Sequence, residues 1–134
     1  MKKRRQPGSA RRSSRAIGAR AERRAVWHYR LRGFRILATN VWIAGYELDV
    51  VARRGGLVVF CEVKAKSSSD LGDPLEMVGA EKVRRLRMAA EAWLASNSQG
   101  SSCEARFDVA TERAGKLTVL ADAFGIRTGL PRAG

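Results

Sequence analysis

Residues 46–64 read YELDVVARRGGLVVFCEVK, and this stretch decides the fold. Two apolar runs flank Arg53-Arg54-Gly55-Gly56. Glycine accepts positive φ, so these four residues read as a hairpin turn. Tyr46 to Arg53 is then one strand, and Leu57 to Lys64 is its antiparallel neighbour. The second run is apolar on both faces until its end, as expected of a central strand.

Three ionisable residues interrupt these runs: Asp49, Glu62 and Lys64. An unpaired carboxylate is costly to bury, so such residues need a partner, a metal or solvent. Side chains alternate along a strand, which puts Glu62 and Lys64 on one face. In a simple hairpin Asp49 lies level with residues 60 to 62, and the pairing brings it beside Glu62. Two carboxylates from adjacent strands form a hard-oxygen site suited to Mg²⁺ or Mn²⁺. A lysine beside them can orient a water or stabilise charge developing on a phosphate. The bland alternative is a surface acid pair bridged to Lys64 or Arg35.

Outward from this core, Ser13-Ser14 is expected to cap a helix running to about Arg32, with Gly33 as its stop. Ile17, Ala21, Ala25 and Tyr29 mark its buried stripe, and Glu22 lies at the edge of that stripe. Phe34 to Leu37 reads as a strand ending near Asn40, followed by a loop-like stretch to Gly45. Ser67 to Pro74 reads as a loop. Val83, Leu86, Ala90, Trp93 and Leu94 set a helix over about 79–97. Ser96 to Ser102 reads as a loop. Arg106 to Glu112 and Lys116 to Leu120 form a second hairpin about Ala114-Gly115. The order α-β-β-β-α-β-β gives the α/β class, a mixed sheet flanked by helices in one layered domain over 14–124. Residues 1–13 read as a disordered basic tail and 125–134 as a weakly ordered one.

The chain carries 26 Lys and Arg against 13 Asp and Glu, a net charge of +13 over 134 residues. Residues 1–24 hold ten basic residues against Glu22 alone, which is nine of those thirteen charges. A small protein so basic points to a polyanion, with nucleic acid first. The tail reads as a non-specific phosphate-binding arm or as a solubilising extension. No apolar run approaches the roughly 18 residues of a membrane span, so no membrane partner is expected. The basic start lacks an apolar signal core, and Cys61 and Cys103 form neither a CxxC motif nor a Cys/His cluster. A cytoplasmic protein is expected, with Cys61 a small buried side chain.

Asp49, then twelve residues, then Glu62-x-Lys64 resembles the signature of the restriction-endonuclease-like (PD-(D/E)xK) nucleases. More closely, the chain resembles the YraN-like family, an uncharacterised bacterial group of predicted nucleases related to archaeal Holliday-junction resolvases. The matching segments are Gly18-x-x-x-Glu22, Gly33-Phe34-Arg35-Ile36-Leu37 with Asn40, and Glu47-Leu48-Asp49-Val50-Val51. They continue with Val59 to Lys64, Gly72-x-Pro74, Lys82-x-x-Arg85-Leu86 and Arg106-Phe107-Asp108-Val109. They run in family order over about residues 16–112, most of the folded part. The resemblance implies a restriction-endonuclease-like fold and a Mg²⁺- or Mn²⁺-dependent endonuclease acting on DNA, including branched or damaged structures. It implies Asp49 and Glu62 as metal ligands, Lys64 as catalytic lysine, Glu22 as supporting acid, and a homodimer by analogy. Two positions depart from the family pattern: Tyr46 stands at a glycine position, and Lys66 where arginine is usual. Lysine offers a phosphate a point charge where arginine offers a fork.

Lys66, Lys82 and Arg85 are the expected phosphate contacts. Trp27, Trp42 and Trp93 could each stack on a base; Trp93 reads as core, and Trp42 is the one expected to meet a base. Glu47 is a weaker, secondary acid. Asp108 reads as a structural acid tied to Arg106, and His28 as a surface residue. The competing readings are a non-catalytic nucleic-acid-binding protein that keeps a nuclease-like core, and an adaptor that docks through its basic tail.

Overall fold

The computed structural model describes residues 9–66, 79–97 and 102–124. Expectations for the loop at 67–74, for residues 1–8 and for the 125–134 tail lie outside these residues.

Helix α1 spans Ser9–Leu31. Residues 9–13, expected in the tail, are therefore helix, and the start falls four residues before Ser13. A run of Ala, Arg and Ser without Gly or Pro gives the helix no reason to stop there. At its other end Gly33 takes φ 84°, the left-handed stop that the sequence signalled. Five strands follow the predicted sequence of elements: β1 (Arg35–Ile43), β2 (Tyr46–Arg54), β3 (Leu57–Lys66), then α2 (Ala80–Ser96), β4 (Glu104–Arg113) and β5 (Lys116–Leu120).

Strand β1 runs through Asn40 to Ile43, past the expected end. Asn40 adopts φ 53° within the strand, a conformation that Asn tolerates and that reads like a terminator in sequence. The turn to β2 is Ala44-Gly45, at φ 52° and 74°, a two-residue hairpin carrying Ala where Asn or Asp is usual. Trp42 is therefore on a strand, opposite Glu47, and not in a loop.

The sheet order is β1-β2-β3-β4-β5, with β3 and β4 parallel and the other pairs antiparallel. Parallel neighbours need a crossover, and α2 lies within it. Strand β3 is central, as its apolar faces required. Val58 and Phe60 face α2 and pack with Leu86, Ala89, Ala90, Trp93 and Leu94. Val59 and Cys61 face α1 and pack with Ala25 and Tyr29. One helix thus covers each side, giving three layers.

The α1 layer is fixed by polar ties as well as by Ala21, Ala25 and Tyr29, all buried. Arg24 pairs with Glu112 of β4. The Tyr29 hydroxyl donates to Asp108 Oδ2 at 2.6 Å. Arg106 forks onto both Asp108 oxygens at 2.9 Å, and the Asp122 N–H donates to Oδ1 at 2.9 Å. Asp108 is 0% exposed, so four hydrogen bonds satisfy a carboxylate with no solvent of its own. This is the structural acid that the sequence suggested. His28 is half-buried and meets Tyr29 edge-on, and so departs from the expected surface position.

Candidate active site

The β2–β3 register runs from Arg54↔Leu57 to Val50↔Cys61, and one further step would set Asp49 opposite Glu62. At that step the regular pattern breaks. Leu48 and Val51, three residues apart, both join the core on the α2 side, which strict alternation forbids. The Asp49 carboxylate takes the place of a backbone acceptor: its Oδ2 accepts the Val63 N–H at 2.8 Å. The side chain is thereby pinned against β3, next to Glu62.

Glu62 and Lys64 continue the row begun by Val58 and Phe60, beyond the end of the apolar core. Glu62 is 5% exposed. Its Oε1 lies 3.4 Å from Lys64 Nζ, and its Oε2 accepts the Tyr46 hydroxyl at 3.2 Å. The ion pair named in the bland reading therefore exists, but it lies at the end of the central strand and is buried on its acid side. A solvated edge pair does not describe it.

Electrostatics bind the group together. Burial, first, and then the charge of Glu62 push the Asp49 carboxyl up to about 7, against the pull of the Val63 amide. Glu22 and Glu47 add smaller contributions in the same direction. Burial works against the Lys64 ammonium, but contact with the Lys82 amine and the charges of Glu62 and Asp49 outweigh it, so its pKa is raised. Lys82, in the first turn of α2, is pushed down chiefly by Lys64 beside it. Burial and the Glu62 carboxylate hold the Tyr46 hydroxyl above its ordinary value.

Of the expected site residues, the structure brings Asp49, Glu62, Lys64 and Lys82 into one cluster. Glu22 stands at its margin on α1, half-buried, with Oε1 accepting from Asn40 Nδ2 at 3.1 Å. Arg85 does not join them. It is exposed and pairs with Glu81, as Arg84 does, while Arg87 pairs with Glu91. The basic face of α2 is thus largely neutralised along the helix itself. The side chain of Lys66 lies outside what is described.

Sequence reasoning missed Tyr46 as a site residue, treating it as a departure at a glycine position. Its signal was its parity with Leu48, which turns it to the same side as the acids. Trp27, named with Trp42 as able to stack on a base but not singled out, is another exposed aromatic. It is 57% exposed on α1.

Among the described residues no three His, Cys, Asp or Glu side chains converge as a metal cage. Two carboxylates do converge, and one lysine lies beside them. Burial first, and the Glu62 charge second, disfavour the ionised form of Asp49, a setting that a divalent cation would relieve. Mg²⁺ keeps several waters and is commonly held by one or two carboxylates plus substrate phosphate, so the donor set fits.

The fold and the cluster together define a class: a three-layer α/β domain with two acids and an amine gathered where its central strands part. Sequence comparison agrees with a shared core. The model of uncharacterised protein family UPF0102 matches residues 21–111, a span that holds Glu22, Asp49, Glu62, Lys64 and Lys82. A UPF0102 protein of Burkholderia vietnamiensis is 44% identical over 112 residues, 83% of this chain and 78% of the relative. One from Burkholderia lata is 42% identical over 118 residues, covering 87% and 80%. One from Burkholderia pseudomallei is 41% identical over 113 residues, covering 84% and 77%. The chain belongs to the UPF0102 family. No helix among the described residues is long and apolar enough to cross a membrane.

Proposed function

We propose that this protein is a metal-dependent endonuclease of the restriction-endonuclease-like, YraN-like kind, hydrolysing phosphodiester bonds in DNA. One observation carries the reading: Asp49, held by the Val63 amide, and Glu62, held by Tyr46 and Lys64, lie at the end of the central strands near enough for the Glu62 charge to act on Asp49. The net charge of +13 supports a polyanionic substrate.

Asp49 and Glu62 would hold a divalent ion, whose contribution when bound is polarisation of the phosphate and activation of a water. The remaining work belongs to the chain. The Val63 N–H and the Tyr46 hydroxyl fix the two carboxylates before substrate arrives, so little reorganisation is needed. Lys64, charged and leaning on Glu62, stabilises the negative charge that builds on the phosphate oxygens. Lys82 adds a second positive group on the same side. Glu22, at the margin of the cluster and close enough for its charge to reach Asp49, would help orient the attacking water. Branched or damaged DNA as substrate, a homodimeric assembly and a cytoplasmic location belong to the same proposal by analogy with related nucleases.

The test is a panel of labelled linear, flapped and four-way-junction DNAs with Mg²⁺ or Mn²⁺. Cleavage by the wild type is expected, with a fall of roughly 100- to 1,000-fold in Lys64→Ala, the size seen when one charge-stabilising donor is removed. DNA binding by that variant should persist. Binding without cleavage in the wild type would favour the non-catalytic reading instead.

A further inference from the structure

At Glu22, α1 and β1 line a groove of about 330 Å³. Its walls include Arg23, Val26, Trp27 and Arg30 of α1, with Thr39 and Asn40 of β1. A volume of this size lies at the lower end of small-ligand sites.

Three features give the groove a chemistry. First, Trp27 is 57% exposed, although a helix residue of that size normally turns its ring to the core. Its indole instead lines the groove, with the Arg30 guanidinium 5.7 Å from the ring centroid. The guanidinium lies over one face of the indole as a cation–π pair, which makes the exposed ring a cationic site for stacking. Second, Arg23 has no ion pair among the described residues, which leaves its charge open for an anion at the rim. Third, the groove floor is polar: Glu22 and Asn40 are hydrogen-bonded to each other and can meet the edge of a planar, polar ring. The Glu22 carboxylate repels phosphate from the floor and leaves the arginine rim as the place for it.

We infer that this groove binds one unpaired nucleotide of single-stranded nucleic acid, its base stacked on Trp27 and its phosphate held at the rim by Arg23 and Arg30. The inference rests on the nuclease reading for its place in the reaction, because Glu22 joins the groove to the acid cluster. A base inside a duplex has both faces covered by its neighbours, so it cannot use this site. The substrate strand is therefore one with an unpaired segment beside the scissile bond, not an uninterrupted duplex.

The test uses the full chain in EDTA, so no hydrolysis is needed. Fluorescence anisotropy follows a labelled oligo(dC) of about eight nucleotides, within the range one such surface covers. A duplex of the same length is measured in parallel. Trp27→Ala is expected to weaken oligo(dC) binding about tenfold and duplex binding less than twofold, in line with the loss of one stacked base. Trp27→Phe should restore most of the affinity. Arg23→Ala should lower the slope of log affinity against log salt by about one phosphate contact. Unchanged oligo(dC) affinity in Trp27→Ala, or an equal loss for duplex, overturns the inference. So does a Trp27→Ala change from dimer to monomer in light scattering with oligonucleotide binding intact, which would assign the groove to a second copy of this chain. The two readings fail separately. A wild type that cleaves while Trp27→Ala binds normally sinks the groove alone. Loss of binding in Trp27→Ala, with no cleavage by any preparation, sinks the nuclease alone.

Discussion

Asp49→Asn is expected to stabilise the metal-free protein at pH 8 while removing at least about 100-fold of any Mg²⁺-dependent cleavage. The two effects have one cause. Asn keeps an oxygen to accept the Val63 N–H but loses the charge that confronts Glu62. In the wild type the Asp49 carboxyl is pushed up to about 7, from 3.8 in the unfolded chain, by burial first and Glu62 second. A folded pKa above the unfolded one favours folding only while the group keeps its proton. That favourable contribution is complete below about pH 4 and is lost as pH rises through 7. Thermal melts in EDTA should therefore show wild type and Asp49→Asn close together near pH 4. They should separate as pH rises, the variant gaining about 2 kcal/mol by pH 8, discounted from the full shift because Asp49 is only half-buried. Added Mg²⁺ should narrow the gap by raising the wild type only. A variant that is less stable than wild type at pH 8 would mean that the acid pair is not under charge strain.

The largest effect on stability is expected at Asp108, away from the acid pair. Asp108→Ala strands three donors at once: the Tyr29 hydroxyl, the Arg106 guanidinium and the Asp122 N–H. The Arg106 cation keeps 19% exposure and would be left without its carboxylate. Removing one partner of a buried charge pair typically costs about 3–5 kcal/mol. Tm should fall by roughly 10–20 °C for a domain of this size. Because Asp108 ties α1 to β4 and the segment after β5, the loss should loosen the layer that carries Glu22. Asp108→Asn can keep the Asp122 contact but offers Arg106 no charge, so an intermediate fall is expected. Calorimetric melts of both variants check this, and a loss below about 1 kcal/mol for Asp108→Ala would show that the hub is not structural.

These two acids show what the sequence made legible and what it hid. Asp49 and Asp108 both interrupt apolar strands, and both announced a need for partners. The parity of Glu62 with Lys64, and the short Gly55-Gly56 turn, were enough to expect Asp49 beside Glu62. The identity of each partner was not readable, because it depends on contacts far apart in sequence. Tyr29 lies 79 residues from Asp108, and no local pattern links them. Strand β1 was cut short because Asn40 in a left-handed conformation resembles a strand end, and because Ala44-Gly45 lacks the usual Asn or Asp of a tight hairpin. That error also put Trp42 in a loop. One exposed tryptophan on an arginine-rich helix leaves no periodic trace, so the sequence does not favour Trp27 over Trp42 as the base contact. Arg85 was over-read because its basic neighbours in sequence were counted without Glu81, which lies four residues before it on the same helix.

The account stands on Asp49 and Glu62 acting as one cation-binding unit, and calorimetric titration of the metal-free protein with Mn²⁺ tests this most directly. One ion per chain is expected to bind the wild type. That binding should vanish in Asp49→Asn and in Glu62→Gln while both variants remain folded by circular dichroism. Equal Mn²⁺ binding by wild type and both variants, or none by the wild type, would contradict it.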